Sequence, residues 1–579
     1  MSDTLRKFYY LLDEKKYKFI FFIIFYFFLA AIELFVIAVI YYFISLLTDI
    51  GIDNTSFLST FLGNFNFFNL SLLNSISILL IFLVIFKNIY QYILNNFFYF
   101  FSYDFQVELK DKILRKISKS LNNKTSHFDK NEIQKTIIFS TERYVVNAMQ
   151  PIMMATSDIF LFFMLIFFLG AQELKAMIFL SGIIIFCFII FAIYFKKKYI
   201  FWGEKYNFTL KKIIENTENS IESLDELKLL NNDDFFTKVI KKFSMDHAFF
   251  ASKYKIFQKI PRQTLEIIVI LLLVFLVIFS KIFFNSENIL LSLSIFGAVS
   301  IRLIPAFSSI LVMINEIKFS KSSIDELFIF FKNKTIDIKK KSANKKTLEK
   351  NFQSIQLKNI QYSYNKNTTL FKNLNINIKK KDFIGICGSS GSGKSTILKI
   401  LATLHFNFDN GNYMYNNKRV TNTDVHNLRE KVYYLSQSPF ILEDSIEANV
   451  ALGLKKSDFD RKKIKDSLQK ANCDFIKGLK NKEKSLIKAN GRNLSQGQKQ
   501  RLSIARALYY DREILLLDEI TSNLDIDNQN KIIKLLKKLS KTKTIILVSH
   551  DINVIKSCNK KFKLQNGTLN NLNFNEISK

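Results

Sequence analysis

The run Gly388-Ser389-Ser390-Gly391-Ser392-Gly393-Lys394-Ser395-Thr396 carries the first chemistry in this chain. It fits G-x-x-x-x-G-K-[ST], in which glycines let backbone N–H groups turn inward around a β-phosphate. Lys394 then reaches the β- and γ-phosphates, and the Ser395 hydroxyl takes a Mg²⁺ coordination position. Further on, Ile514-Leu515-Leu516-Leu517-Asp518-Glu519 reads as a buried strand ending in two carboxylates. Asp518 can hold Mg²⁺, and Glu519 can orient or deprotonate a water. Gln437 follows a strand and precedes Ser438-Pro439, a place suited to sensing Mg²⁺ and the attacking water. Leu494-Ser495-Gln496-Gly497-Gln498 opens a helix and makes a second anion site of the same physical kind. Ser522-Asn523-Leu524-Asp525 follows the carboxylate pair, and His550 closes another strand, where it is expected to meet a γ-phosphate. Tyr364 could stack on a nucleotide base, with Tyr362 the nearby alternative.

These groups need a scaffold that brings strand ends together. Strand-like runs at Ile355–Leu357, Phe383–Cys387, Val432–Leu435, Glu513–Leu517 and Thr544–Val548 alternate with helical patterns, which predicts a mostly parallel sheet flanked by helices. The phosphate loop sits between the strand Phe383–Cys387 and a helix beginning near Thr396, the strand–loop–helix context its chemistry requires. This α/β domain is expected over 351–579, after a lysine-rich linker at 332–350.

Residues 1–331 are of another kind. Phe contributes 61 residues, concentrated before position 332, whereas Pro (4) and Gly (16) are scarce. Hydrophobic stretches around 19–47, 74–103, 150–170, 176–196, 262–284 and 288–315 each approach or exceed the ~20 residues that cross a bilayer core, which predicts an all-α six-helix transmembrane domain. The first is too long for a signal-peptide core and should stay in the membrane. The stretch 48–73 contains no Lys or Arg, while 104–149, 197–261 and the tail after Lys318 are lysine-rich. The positive-inside rule therefore puts both termini and the α/β domain in the cytosol, and accounts for much of the +32 net charge without nucleic acid. The four cysteines, Cys187, Cys387, Cys473 and Cys558, lack paired or metal spacing, which fits a reducing cytosol and not zinc.

The long cytosolic connections read as helices extending past the membrane, with reversals at Asn123–Ile138 and Asn216–Asn231 that would transmit motion from a cytosolic ATPase. Phe57, Leu58, Phe61, Leu62 and Phe65 fall on one face of a short outer helix that could contact a lipid-like cargo or rest in the interface. Charges inside spans are costly. Lys87, Arg262 and Arg302 could line an aqueous path and attract an anionic cargo; pairing of Arg262 with Glu266, and of Glu33 with a neighbouring helix, is the structural alternative.

With these residues assembled, the chain resembles the exporter-type ATP-binding cassette (ABC) transporters. Tyr364 matches the A-loop, Gly388–Ser395 Walker A, Gln437 the Q-loop, Leu494–Gln498 the signature, and Ile514–Asp518 Walker B. Glu519 matches the catalytic glutamate, Ser522–Asp525 the D-loop and His550 the switch. Gln496 stands where glycine is commonest, Ala489 where exporters often carry glutamate, and Lys381-Asp382 where Gly-Glu is common. The resemblance implies ATP and Mg²⁺ as cofactors. It also implies a homodimer of half-transporters, with each ATP between Lys394 of one chain and Ser495/Gly497 of the other. Ala31–Ala38, Ser294–Pro305 and Ser322-Ser323-Ile324-Asp325 are similar to the PglK-type lipid-linked oligosaccharide flippases of the inner membrane. The implied cargo is a polyprenyl-pyrophosphate glycan. A lipid A or drug exporter, and a membrane-anchored regulatory ATPase without cargo, are the alternatives.

Overall fold

The computed structural model describes residues 2–47, 71–120, 130–172, 174–278, 289–332, 351–365, 368–488, 491–521, 524 and 526–572. Its contacts divide the chain into two compact units, Met1–Lys116 with His127–Lys334 and Ile117–Ser126 with Thr335–Lys579.

The first unit is helical: α1 (Ser2–Leu12), α2 (Lys16–Leu47), α3 (Leu72–Ser120), α4 (Lys130–Lys135), α5 (Thr141–Tyr144), α6 (Gln150–Gln172), α7 (Leu174–Glu222), α8 (Leu224–Leu229), α9 (Phe235–Ile278), α10 (Ile289–Phe319) and α11 (Lys321–Lys332). The first five expected spans begin within the long helices α2, α3, α6, α7 and α9, and the sixth, expected from 288, overlaps α10 from Ile289. Four segments, Asp3–Leu47, Leu72–Ser118, Glu132–Ala171 and Gly297–Phe319, are long and apolar enough among the described residues to cross a membrane. α2 is apolar all round, the pattern of a helix surrounded by lipid and other helices. On α3, Phe82, Ile85, Phe86, Ile89 and Phe97 are exposed; such a run of bare apolar side chains suits lipid rather than water. The reversal expected near Asn216–Asn231 is present as the break at Ser223, the short α8 and the turn before α9. Residues 121–129 of the other reversal, and the expected outer helix at 57–65, lie outside the described residues.

Elsewhere in this unit, side chains knit the helices. Two π-helical turns, Thr136–Ser140 and Val145–Met149, flank α5. The buried Arg143 guanidinium lies 4.2 Å from the Tyr206 ring and 4.6 Å from the Phe319 ring. Phe319 stacks on Tyr254 at 3.9 Å. α7 approaches this cluster closely at Gly203, where an added Cβ would sit 2.6 Å from the Phe319 carbonyl oxygen. Glu326 of α11 accepts from Lys135, Thr136 and Ser140 at 3.1, 2.9 and 2.8 Å. The chain start is fastened to α11 as well: Lys7 donates to Asp325 at 2.8 Å.

The second unit holds two sheets. One has strand order β2-β1-β4-β5, built from β1 (Ser354–Asn365), β2 (Thr368–Lys379), β4 (Asn410–Tyr415) and β5 (Lys418–Arg419), all antiparallel. The other has order β10-β9-β3-β8-β7-β6, built from β3 (Phe383–Gly388), β6 (Val432–Leu435), β7 (Ile514–Asp518), β8 (Thr544–Val548), β9 (Lys560–Gln565) and β10 (Thr568–Asn571). It is parallel except for the β9–β10 hairpin. Four of the strand runs read from sequence fall within β1, β3, β6 and β8, and the fifth, Glu513–Leu517, overlaps β7 with its edge one residue early; the antiparallel sheet was not expected. Every residue of β7 and β8 is buried, as central parallel strands require. The helices include α12 (Lys394–Leu401), α13 (Val425–Arg429), α14 (Ile446–Val450), α15 (Arg461–Lys470), α16 (Gln496–Tyr509), α17 (Ile526–Ser540) and α18 (Ile552–Lys556).

Candidate functional site

The phosphate loop joins β3 to α12, which starts at Lys394 rather than Thr396. Gly391 and Gly393 take φ of +75° and +100°, and a Cβ on Gly393 would meet the Phe371 ring at 2.8 Å. Glycine is therefore required twice over at 393. Lys394 is 5% exposed. Its ammonium donates to the carbonyls of Gly388 (3.1 Å) and Ser389 (2.9 Å), closing the loop. Burial lowers its pKa, opposed by the nearby carboxylates of Glu519 and Asp518. The Ser392 hydroxyl is buried without a hydrogen-bond partner among the described residues, a donor within the loop sequence that an oxyanion would satisfy.

The parallel sheet brings the carboxylates to this loop. Asp518, at the end of β7, accepts from Ser395 at 3.0 Å and from Tyr434 of β6 at 2.8 Å. Burial, then the Asp518 charge, pushes the Tyr434 phenol up, so it stays a donor. Glu519 follows in a left-handed conformation (φ +48°), held by its N–H to the Val548 carbonyl at 3.0 Å. One oxygen lies 2.9 Å from His550 Nε2 and the other accepts from Gln437 at 3.3 Å. The two oxygen donors on Ser395 and Asp518 suit a hard divalent cation such as Mg²⁺.

Tyr364, rather than the buried Tyr362, is exposed enough to meet a base. Its hydroxyl pairs with Thr396 at 2.8 Å, and its ring stands edge-on to His405 at 5.8 Å. Ser495 caps α16 in a capping box with Gln498, leaving the helix N-terminus presented by Ser495, Gln496 and buried Gly497. Asp525 and Ala489 lie outside the described residues. Tyr434 and His405 were missed from sequence; β6, Val432-Tyr433-Tyr434-Leu435, does not alternate, and its pairing with β7 is what brings Tyr434 to Asp518.

Residues 371–522 match the profile of the ABC transporter family. An ATP-dependent lipid A-core flippase of Saccharophagus degradans is 33% identical over 216 residues, 37% of this chain and 36% of that protein. A probable ABC transporter ATP-binding/permease protein of Haemophilus influenzae is 34% identical over 38% of this chain and 39% of its own. The lactococcin-G-processing and transport ATP-binding protein LagD of Lactococcus lactis is 33% identical over 41% and 32%. These matches thus span under two-fifths of each relative. The solved structure of a bacterial Atm1-family ABC exporter with ATP bound superposes with a TM-score of 0.76 at 17% identity, covering 96% of this chain and 94% of that one. The chain has the ABC exporter fold.

Within the helical part of that exporter fold, the structure brings two of the three suspected cargo cations together. Glu33 of α2, 6% exposed, pairs with Lys87 of α3 at 3.0 Å and with Arg302 of α10. Asp158 of α6, unremarked in the sequence, lies within electrostatic reach of Ser309, Glu33 and Arg302. Arg262 is not part of this group; it pairs along α9 with Glu266 at 2.9 Å, as the structural alternative had it.

Proposed function

We propose that the chain is one half of a homodimeric exporter that hydrolyses ATP to move an amphiphilic, anionic glycolipid across the inner membrane. The observation that carries the reading is Glu519, held between His550 and Gln437 beside the Ser395–Asp518 pair. ATP fits the phosphate loop, with its base against Tyr364 and its phosphates on the loop N–H groups, the Ser392 hydroxyl and Lys394. Mg²⁺ on Ser395 and Asp518 would neutralise the phosphate charge. Glu519 then orients the attacking water and draws its proton, while His550 holds that carboxylate in place. One phosphate loop and one signature per chain support two equivalent ATP sites between two copies. ATP that binds the closed pair more tightly than the open one supplies the drive. The Lys/Arg distribution supports cytosolic termini.

For cargo, the membrane stretches similar to PglK-type flippases support a polyprenyl-pyrophosphate oligosaccharide. The second reading, lipid A-core, is favoured by the names of several relatives. Both are phosphate-bearing glycolipids, and the Lys87–Glu33–Arg302 bridge fits either head group once Glu33 gives way. The test is flipping in proteoliposomes. Fluorescent polyprenyl-pyrophosphate oligosaccharide and lipid A are loaded separately, and protection from an external modifying enzyme is followed with and without ATP. Translocation of one cargo by wild type, lost in Glu519→Gln, is expected and selects between the two. ATPase activity without movement of either removes the glycolipid assignment.

A further inference from the structure

The signature turn contains a residue whose side chain turns back into its own chain. Gln496 is the first residue of α16, directly after the cap Ser495. Its amide donates to the main-chain carbonyl of Gln437 at 3.1 Å. Gln437 donates its own side-chain amide to Glu519 at 3.3 Å, and the other Glu519 oxygen meets His550 at 2.9 Å. The loop around Gln437 has a second anchor, Ser436, whose hydroxyl donates to the Ser438 carbonyl at 2.8 Å. Gln437 is otherwise an exposed loop residue beyond β6, with little packing to fix its backbone. Glu519 stands at φ +48°, a conformation that carboxylate residues hold only when neighbours over-determine it.

We infer that Gln496 is a positioning residue for hydrolysis: it fixes the Gln437 backbone, and through the Gln437 amide it sets the orientation of Glu519 in its own chain. Glycine at this position has no side-chain donor, so the bond belongs to the glutamine that sets this signature apart. The inference rests on the homodimeric ATPase reading. In that arrangement Ser495 and Gly497 face an ATP held by the second copy, while Gln496 is linked through Gln437 to the carboxylate serving its own ATP. Movement of α16 on meeting one nucleotide is thereby passed to the carboxylate at the other.

The test uses full-length heterodimers of two differently tagged chains, one carrying Lys394→Ala so that a single site binds ATP. Gln496→Gly and Gln496→Glu are placed in either chain; glutamate keeps the length and the helix-start preference but cannot donate. In the chain that supplies Glu519 to the competent site, either variant should lower kcat about 10- to 100-fold with the ATP KM held within about twofold. In the Lys394→Ala chain the kcat loss should be at least about fivefold smaller, any effect falling on KM. Equal losses from either chain, a loss confined to the Lys394→Ala chain, a pure KM change or no loss overturns the inference. A control separates the underlying reading: Glu519→Gln in the competent chain, with both Gln496 residues intact, must abolish hydrolysis. Persistent hydrolysis there sinks the reading itself.

Discussion

Asp518 is gripped from two sides, by a hydroxyl of the phosphate loop and by a phenol from the neighbouring strand. The phenol orients a carboxylate that is itself suited to a cation, and such supporting partners typically carry 10- to 100-fold in metal affinity. Tyr434→Phe is therefore expected to raise the Mg²⁺ concentration for half-maximal ATPase about tenfold with little change in fold. Circular dichroism with Mg²⁺ titration checks both parts. The thiols offer a second residue-scale test. Burial pushes Cys473 and Cys558 up to about 12. Both should resist iodoacetamide near neutral pH in the native protein and react after denaturation, as read by peptide mass spectrometry. Labelling of either in the folded chain would contradict its place in the core.

At the scale of elements, α7 meets α10 where Gly203 leaves room for the Phe319 carbonyl. Gly203→Val forces the two helices apart against the ring stack of Phe319 and Tyr254, at a cost of about 1–3 kcal/mol. A clear fall in melting temperature in detergent is expected, and an unchanged one would show that the helices are not held at this distance. How much of this was legible beforehand follows from how local each signal is. The phosphate loop, the carboxylates after β7 and the capped signature helix depend on neighbours within a few positions, so spacing revealed them. β2 carries a clean alternation, Leu374-Asn375-Ile376-Asn377-Ile378, buried and exposed in turn, a period-two signal that was legible and overlooked, whereas Asn410–Tyr415 of β4 becomes a strand through its pairing with β1. Asp158 escaped notice because its partners come from α2 and α10, far away in the chain. Gln496 was visible as a departure, yet its bond to Gln437 spans 59 positions and needs the folded loop to exist.

Across the whole helical unit, Glu33 draws three spans together through Lys87 and Arg302. Removing its charge takes the partner from Lys87 and leaves Arg302, 36% exposed, with Asp158 nearby, at a cost of about 1–3 kcal/mol. Glu33→Gln should thus destabilise, and adding Lys87→Met should recover part of the loss, a non-additivity of about 0.5–3 kcal/mol. Strict additivity in denaturation measurements would mean that Lys87 and Glu33 act separately. The fastening of Lys7 to Asp325 reaches across 318 positions, and it has a consequence in time. The ribosome makes α1 long before its partner, so at about 5–20 residues per second α1 waits roughly 15–60 s for Asp325 to emerge. α1 therefore docks long after it is made, and a nascent chain arrested before residue 325 should leave α1 open to protease.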